Sequence, residues 1–217
     1  MRRIARRFSV IAVAVTAAAT ATVLPAPHAQ ATSRLLTPPE IGIRFNTDGD
    51  PGQCGGRTGD QWHSVGNWTD AIRLDTDGRR GGCQLAFGVY DPDNSLQGLS
   101  LTYGFAATSG GDPGQCGNQG VYRMPIRGDA RTFGPSIRID TDNRPGGCTL
   151  TFTVPTIRDY YALDIQYDAD GAAGQCVNTG YHWAETDRGP VTIGIDTDDR
   201  PGGCRLQIRL RSGFRSG

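Results

Sequence analysis

A nine-residue turn recurs six times along this chain, and every copy ends in a cysteine. Three late copies run from Asp75 to Cys83, Asp140 to Cys148 and Asp196 to Cys204, and each closes on Gly-Gly-Cys. Three early copies run from Asn46 to Cys54, Thr108 to Cys116 and Asp168 to Cys176, and each closes on Gly-Gln-Cys. Early and late copies alternate and together use all six cysteines. The chain is therefore three copies of one module of about 60 residues, and self-similarity at such a period marks units that bury a shared core.

Between the turns the apolar residues alternate. The first strand of each module reads Ile41-Ile43-Phe45, Leu99-Leu101-Tyr103-Phe105 or Tyr161-Leu163-Ile165-Tyr167. A variable stretch with an aromatic follows the early turn. A third strand (Ile72-Leu74, Ile137-Ile139, Ile193-Ile195) enters the late turn, and a fourth (Leu85-Phe87-Val89, Leu150-Phe152-Val154, Leu206-Ile208-Leu210) leaves it. A period of two signals half-buried strands, not helices. The fold class expected is all-β: one pseudo-threefold domain of three disulfide-stapled, four-stranded modules, at about 41–93, 99–156 and 160–212 within a domain spanning 41–217. Both β-trefoil-like and β-prism-like closure fit, and three separate beads are the rival arrangement.

The phase of the cysteines constrains their pairing. Cys83 is two residues before Leu85, so its sulfur shares the core-facing side of that strand; Cys148 and Cys204 repeat the relation. If the four strands alternate up and down, both turns of a module lie at one end. The expected bridges are Cys54–Cys83, Cys116–Cys148 and Cys176–Cys204. Zinc would require closely spaced Cys or Cys/His pairs, and the chain has none.

Compartment follows from the N-terminus. Arg2, Arg3, Arg6 and Arg7 precede an apolar run from Val10 to Val23, and Ala29-Gln30-Ala31 forms a small-x-small cleavage site. This is the pattern of a secretory signal peptide over residues 1–31, so the expected localisation is secreted, with no membrane span once it is removed. Residues 32–40, with Pro38-Pro39, read as an extended arm. The chain contains no lysine, which suggests a GC-rich coding sequence of the actinobacterial kind. Removal of the leader takes four arginines and no acid from a chain of net charge zero. A mildly acidic remainder has no electrostatic footprint for nucleic acid.

Two sets of residues could carry chemistry. Asp75 and Asp77, Asp140 and Asp142, Asp196 and Asp198 form Asp-x-Asp pairs, which resemble the opening of calcium loops. Arg at the fifth position and the lack of a closing Glu oppose that reading, and Asp with Gly also builds turns without metal. No cofactor is required by the pattern, and calcium is the ion it would accept. The second set is Trp62-His63, Tyr122 and Tyr181-His182-Trp183, placed alike after each early cysteine. An aromatic face beside Asp or Asn holds a sugar ring, its plane covering C–H groups while polar groups take hydroxyls. Alternation places at least one aromatic of each set in the core instead.

Catalysis is poorly provided for. Gly-x-Ser-x-Gly, His-Glu-x-x-His and a phosphate loop are all missing from the sequence. A glycosidase carboxylate pair among the aspartates is the enzymatic alternative. Yet the prominent Asp repeat three times, whereas a catalytic site occurs once per domain. The design resembles that of threefold lectins, at the level of architecture alone. It implies a non-catalytic, lectin-like binding protein whose partner is carbohydrate. The alternative is an adaptor that binds another extracellular protein, as in toxin-complex adaptors or protease inhibitors, docking through the arm.

Overall fold

The computed structural model describes residues 37–55, 57–75, 80–96, 98–140, 146–154, 161–171, 174–184, 189–196 and 202–212. The signal segment, arm residues 32–36 and Asp77, Asp142 and Asp198 lie outside them. Among the described residues the alternating stretches become strands, and a 3-10 turn lies at Pro113–Gln115. The first module supplies β1 (Glu40–Gly49), β2 (Gly59–Ser64), β3 (Ile72–Asp75) and β4 (Gly81–Tyr90). The second supplies β5 (Leu101–Ala107), β6 (Cys116–Gly117), β7 (Gly120–Met124), β8 (Ile126–Arg127), β9 (Ile137–Asp140) and β10 (Gly147–Thr153). The third supplies β11 (Tyr161–Gly171), β12 (Cys176–Val177), β13 (Gly180–Ala184), β14 (Val191–Asp196) and β15 (Gly202–Ser212). Glu40, assigned to the arm on sequence grounds, is the first residue of β1, and Pro39 before it is buried.

The modules each supply four principal strands but are not self-contained. In each, the first and fourth strands pair antiparallel and the second flanks the first, but the third strand joins the neighbouring module. Sheet I is β2-β1-β4-β9-β6, with β8 parallel to the end of β4; sheet II is β7-β5-β10-β14-β12; sheet III is β13-β11-β15-β3. So β9 of the second module sits on β4 of the first, β14 of the third on β10 of the second, and β3 of the first on β15 of the third. Alternation fixes which face of a strand is buried, not which edge it pairs with, so the exchange left no mark in the pattern.

The three bridges are those the cysteine phase implies: Cys54–Cys83, Cys116–Cys148 and Cys176–Cys204, spanning 29, 32 and 28 residues. The exchange gives them a further role. Cys116 lies on β6 in sheet I and Cys148 on β10 in sheet II; Cys176 lies on β12 in sheet II and Cys204 on β15 in sheet III. These two staple sheet to sheet. Ile139 is registered between Cys83 and Cys116, and Ile195 between Cys148 and Cys176.

The repeated Gly-Gly is required where three strands meet. Gly81 has φ +97°, and a Cβ on it would stand 1.9 Å from the Asp48 carbonyl oxygen. A Cβ on Gly82 would stand 2.5 Å from the carbonyl oxygen of Ile139 on the exchanged strand. At the other junctions Gly202 would meet the Asp170 carbonyl at 2.2 Å and Gly147 the Ile195 carbonyl at 2.3 Å. Only glycine allows both the backbone twist and the approach.

One hydrophobic cluster joins all three sheets. Phe87 of sheet I packs edge-on against Tyr103 and Phe152 of sheet II at 5.1 and 5.2 Å, and Leu163, Ile165 and Leu206 of sheet III belong to the same core. Buried phenols tie a module's first strand to its exchanged part: Tyr167 donates to the Gly194 carbonyl at 2.8 Å, and Tyr103 donates to the carbonyl of Pro135. The seams show reciprocal substitution. Arg138 on β9 bonds Asp48 on β1, and Arg73 on β3 bonds Asp170 on β11. The corresponding positions in sheet II are Gly194 and Thr108, so both members of the pair are replaced together. Gly55 and Gly117 lie beside the arginine stems, whereas Val177 lies beside Gly194. The middle early turn thus lacks both the Asp and the Arg of this pair.

Candidate functional site

Equivalent positions on the outward faces of the sheets carry different side chains. On sheet I, Trp62 of β2 lies opposite Gly42 of β1. A Cβ on Gly42 would stand 2.7 Å from the indole and one on Gly88 3.1 Å from it, so these glycines form a seat for the ring. Phe133 lies 4.8 Å from Trp62 and Tyr90 lies 6.5 Å away, edge-on. Arg44 stands 4.4 Å over Phe133 and bonds Asp60 at 2.6 and 2.8 Å. Arg131 stands 5.4 Å from the Tyr90 ring and grips Glu40 at 2.7 and 2.8 Å.

Sheet III carries a second cluster. Trp183 of β13 occupies the place of Trp62 and lies opposite Asp164. Tyr181, 45% exposed, lies 5.4 Å from Trp183 and 5.9 Å from Trp68. Arg209 stands 4.5 Å over Trp68. Asp164 is wholly buried and accepts from Arg209 Nε at 3.0 Å, Arg209 Nη2 at 2.6 Å and Arg211 Nε at 3.1 Å. Arg209 Nη2 also donates to the Tyr181 hydroxyl at 3.2 Å. Burial, and then the bond to Asp164, push the Tyr181 phenol above its ordinary pKa.

Both clusters are composite. Trp68 and Phe133 come from the stretch before an exchanged strand and are held alike: Thr69 N donates to the Ile208 carbonyl at 2.9 Å, and Gly134 N to the Phe87 carbonyl at 2.8 Å. The module that lends its third strand thus also lends an aromatic to its neighbour's outer face. Sheet II has neither ring. Arg123 stands at the tryptophan position opposite Thr102, and Gly189 at the place of Trp68 and Phe133. Its face is instead a shallow depression of ≈ 550 Å³ lined by Gly104, Ala106, Val121, Thr149, Thr151 and Thr153 among others, with Val121 80% exposed.

Of the sequence-derived ligand residues, Trp62, Tyr181 and Trp183 reach an outer face. His63, Tyr122 and His182 fall in the opposite phase, half-buried and registered with the core residues Ile41, Tyr103 and Ile165. Tyr122 packs 5.5 Å from Tyr103 and donates to the Asn118 carbonyl at 2.7 Å; His182 Nε2 lies 2.7 Å from the Asn178 carbonyl. Asn118 and Asn178 have φ of +61° and +63°, and their amides donate to the carbonyls of Ser136 and Thr192. Tyr122 and His182 therefore brace left-handed turns. Sequence reasoning missed Trp68 and Phe133, which lie in connections without periodicity. It also missed Asp164, Arg209 and Arg211, which read as an ordinary solvent-facing phase. Their signal was positional: Asp164 and Arg209 stand where sheet I has Gly42 and Gly88.

The Asp turns hold ion pairs. Asp140, at the end of β9, meets Arg138 at 2.5 Å, and Arg138 also reaches Asp48 at 2.6 Å. Arg138 and then Gln84 hold the Asp48 carboxyl below its ordinary pKa; Arg205 and then Arg73 do the same for Asp170. Asp75 and Asp196 end the equivalent exchanged strands β3 and β14. Among the described residues no three His, Cys, Asp or Glu side chains gather as a metal site. We expect titration of chelator-treated protein with millimolar calcium to give no binding heat and no rise in melting temperature. A saturable heat with a raised midpoint would assign these carboxylates to metal.

No protein-family model, curated protein or solved structure matches the chain.

Proposed function

We propose that the chain is a secreted, non-catalytic binding protein of lectin-like type, with recognition sites on the outer faces of sheets I and III. The observation that carries this reading is the pair of composite clusters, Trp62 with Phe133 and Tyr90, and Trp183 with Tyr181 and Trp68. Each sets flat rings beside fixed guanidinium and carboxylate groups. Rings cover the C–H face of a sugar and the ionic groups take its hydroxyls. The cyclic exchange of third strands supports a closed, prism-like arrangement with pseudo-threefold symmetry over a trefoil-like one. Each flat sheet then presents one outer face to solvent. Export is supported by the leader pattern and by three disulfides, which persist in oxidising compartments. No helix of the described residues is long and apolar enough to cross a membrane.

One observation favours a second reading. Trp, Tyr and Arg dominate both clusters, and these residues also dominate hot spots of protein interfaces. An adaptor that docks another extracellular protein through the same faces is the alternative. An oligosaccharide array run beside a pull-down from culture medium separates the two. Saturable binding of defined oligosaccharides, competed by the free sugar, is the expected result. Capture of a single protein with no saccharide bound replaces the lectin reading by the adaptor one.

A further inference from the structure

The outer face of sheet II departs from its two counterparts at one register. Gly104 on β5 stands between Val121 on β7 and Thr151 on β10. The matching pair across the first two strands is Arg44 with Asp60 in sheet I and Gln166 with Tyr181 in sheet III. The fold therefore carries a long side chain where sheet II has glycine. Nothing around Gly104 demands glycine, since a Cβ there would meet no atom nearer than Thr151 Cβ at 3.8 Å. The missing side chain leaves a hollow, and none of the residues that line it is charged. Beside the hollow stands Val121, the most exposed large hydrophobic side chain among the described residues. The threonines of this face bond within the sheet. Thr149 donates to the Ala106 carbonyl at 3.2 Å, Thr102 donates to the Thr153 carbonyl at 3.2 Å, and the hydroxyls of Thr151 and Thr192 lie 2.9 Å apart. Little hydrogen bonding to water is lost when such a face is covered.

We propose that sheet II is a face of self-association, on which two copies of the chain pair and Val121 of each enters the hollow of the other. Knob and hollow sit on neighbouring strands, about 4.8 Å apart. They are self-complementary about a two-fold axis that runs between β5 and β7. An isologous contact of this kind closes at two copies. Its charges do not oppose it, because Arg123, two residues from Val121, then faces Thr102 of the partner subunit. Sheets I and III have no hollow at this register and carry long polar or ionic side chains there instead. β7 and β5 are five and seven residues long. An overlap of two or three such strands covers roughly 200 Å² of sheet per copy, which belongs to the class of weak, transient contacts. The inference goes beyond the recognition reading and does not depend on it. Contact through sheet II leaves the aromatic clusters of sheets I and III open and doubles their number, which favours repeating ligands.

Sedimentation of the oxidised protein from about 1 µM to 1 mM tests this. We expect a monomer–dimer equilibrium with a dissociation constant on the order of 0.1 mM, as suits so small a contact. Val121→Arg removes the knob, and Gly104→Gln fills the hollow with the side chain that sheet III carries at that place. Each should weaken association at least about tenfold, with a melting temperature that shows the variant folded. Val177→Arg changes an exposed valine on β12, at the far edge of the same sheet, and should leave association unchanged. A protein that stays monomeric at 1 mM overturns the proposal. So does association without limit, or a dimer that survives both Val121→Arg and Gly104→Gln in folded protein. Saccharide-dependent shifts of the Gly104 and Val121 amide signals in a protein that does not dimerise would replace the self-association face by a ligand site.

Discussion

Reduction of the three disulfides is expected to lower the melting midpoint by more than about 20 °C, or to unfold the protein at room temperature. Each bridge closes a loop of 28 to 32 residues, which in the chain-entropy model is worth roughly 3–4 kcal/mol. Together they approach about 10 kcal/mol, comparable with the whole stability of an ordinary domain. The geometry sharpens the expectation. Cys116–Cys148 and Cys176–Cys204 join one sheet to the next, so their loss frees the short strands β6 and β12, which flank the exchanged β9 and β14, as well as lengthening a loop. A melt followed by circular dichroism, with and without a phosphine reductant, measures it. A midpoint that does not move would show that the exchanged strands and the shared core hold without their staples.

Much of this architecture could be read from the residues. The cysteine phase located the bridges because Cys83, Cys148 and Cys204 keep step with core residues two positions on. Alternation located nearly every long strand. What it could not supply was the pairing edge, so the passage of β3, β9 and β14 into neighbouring sheets went unread. The seam that results gives the early-turn Asp48 and Asp170 a structural role, while Asp77, Asp142 and Asp198 of the Asp-x-Asp pairs lie outside the described residues. Asp48 and Asp170 face arginines from a neighbouring module, and where Gly194 removes the arginine, Thr108 replaces the aspartate. Site residues were partly legible for the same reason. Trp62 and Trp183 stood out as aromatics in a strand, but the rings that complete their clusters, Phe133 and Trp68, come from the next module's connection. No local pattern reports a contact made by strand exchange. Tyr122 and His182 looked equivalent to the tryptophans by spacing, and one residue of phase sets them half-buried in register with core residues.

The second large effect is on recognition. Trp62→Ala and Trp183→Ala should each weaken binding at their own face by about thirtyfold or more, the usual consequence of truncating an aromatic anchor at about 2 kcal/mol. Stability should change little, because both rings sit on the outer side of a sheet and neither belongs to the buried core. Removing Trp62 uncovers Gly42 and Gly88 without opening a cavity inside the core. Removing Trp183 leaves Asp164 bonded to Arg209 and Arg211. Arg123→Ala on sheet II is the matched control, since that face lacks the partner ring. The most direct measurement is therefore saccharide binding on the oligosaccharide array by wild type, the Trp62→Ala/Trp183→Ala double variant and Arg123→Ala, each with its melting temperature. The account predicts a folded double variant that binds nothing and an Arg123→Ala protein that binds as wild type does. Undiminished binding by a folded double variant, or loss of binding on Arg123→Ala alone, would place recognition elsewhere on the molecule.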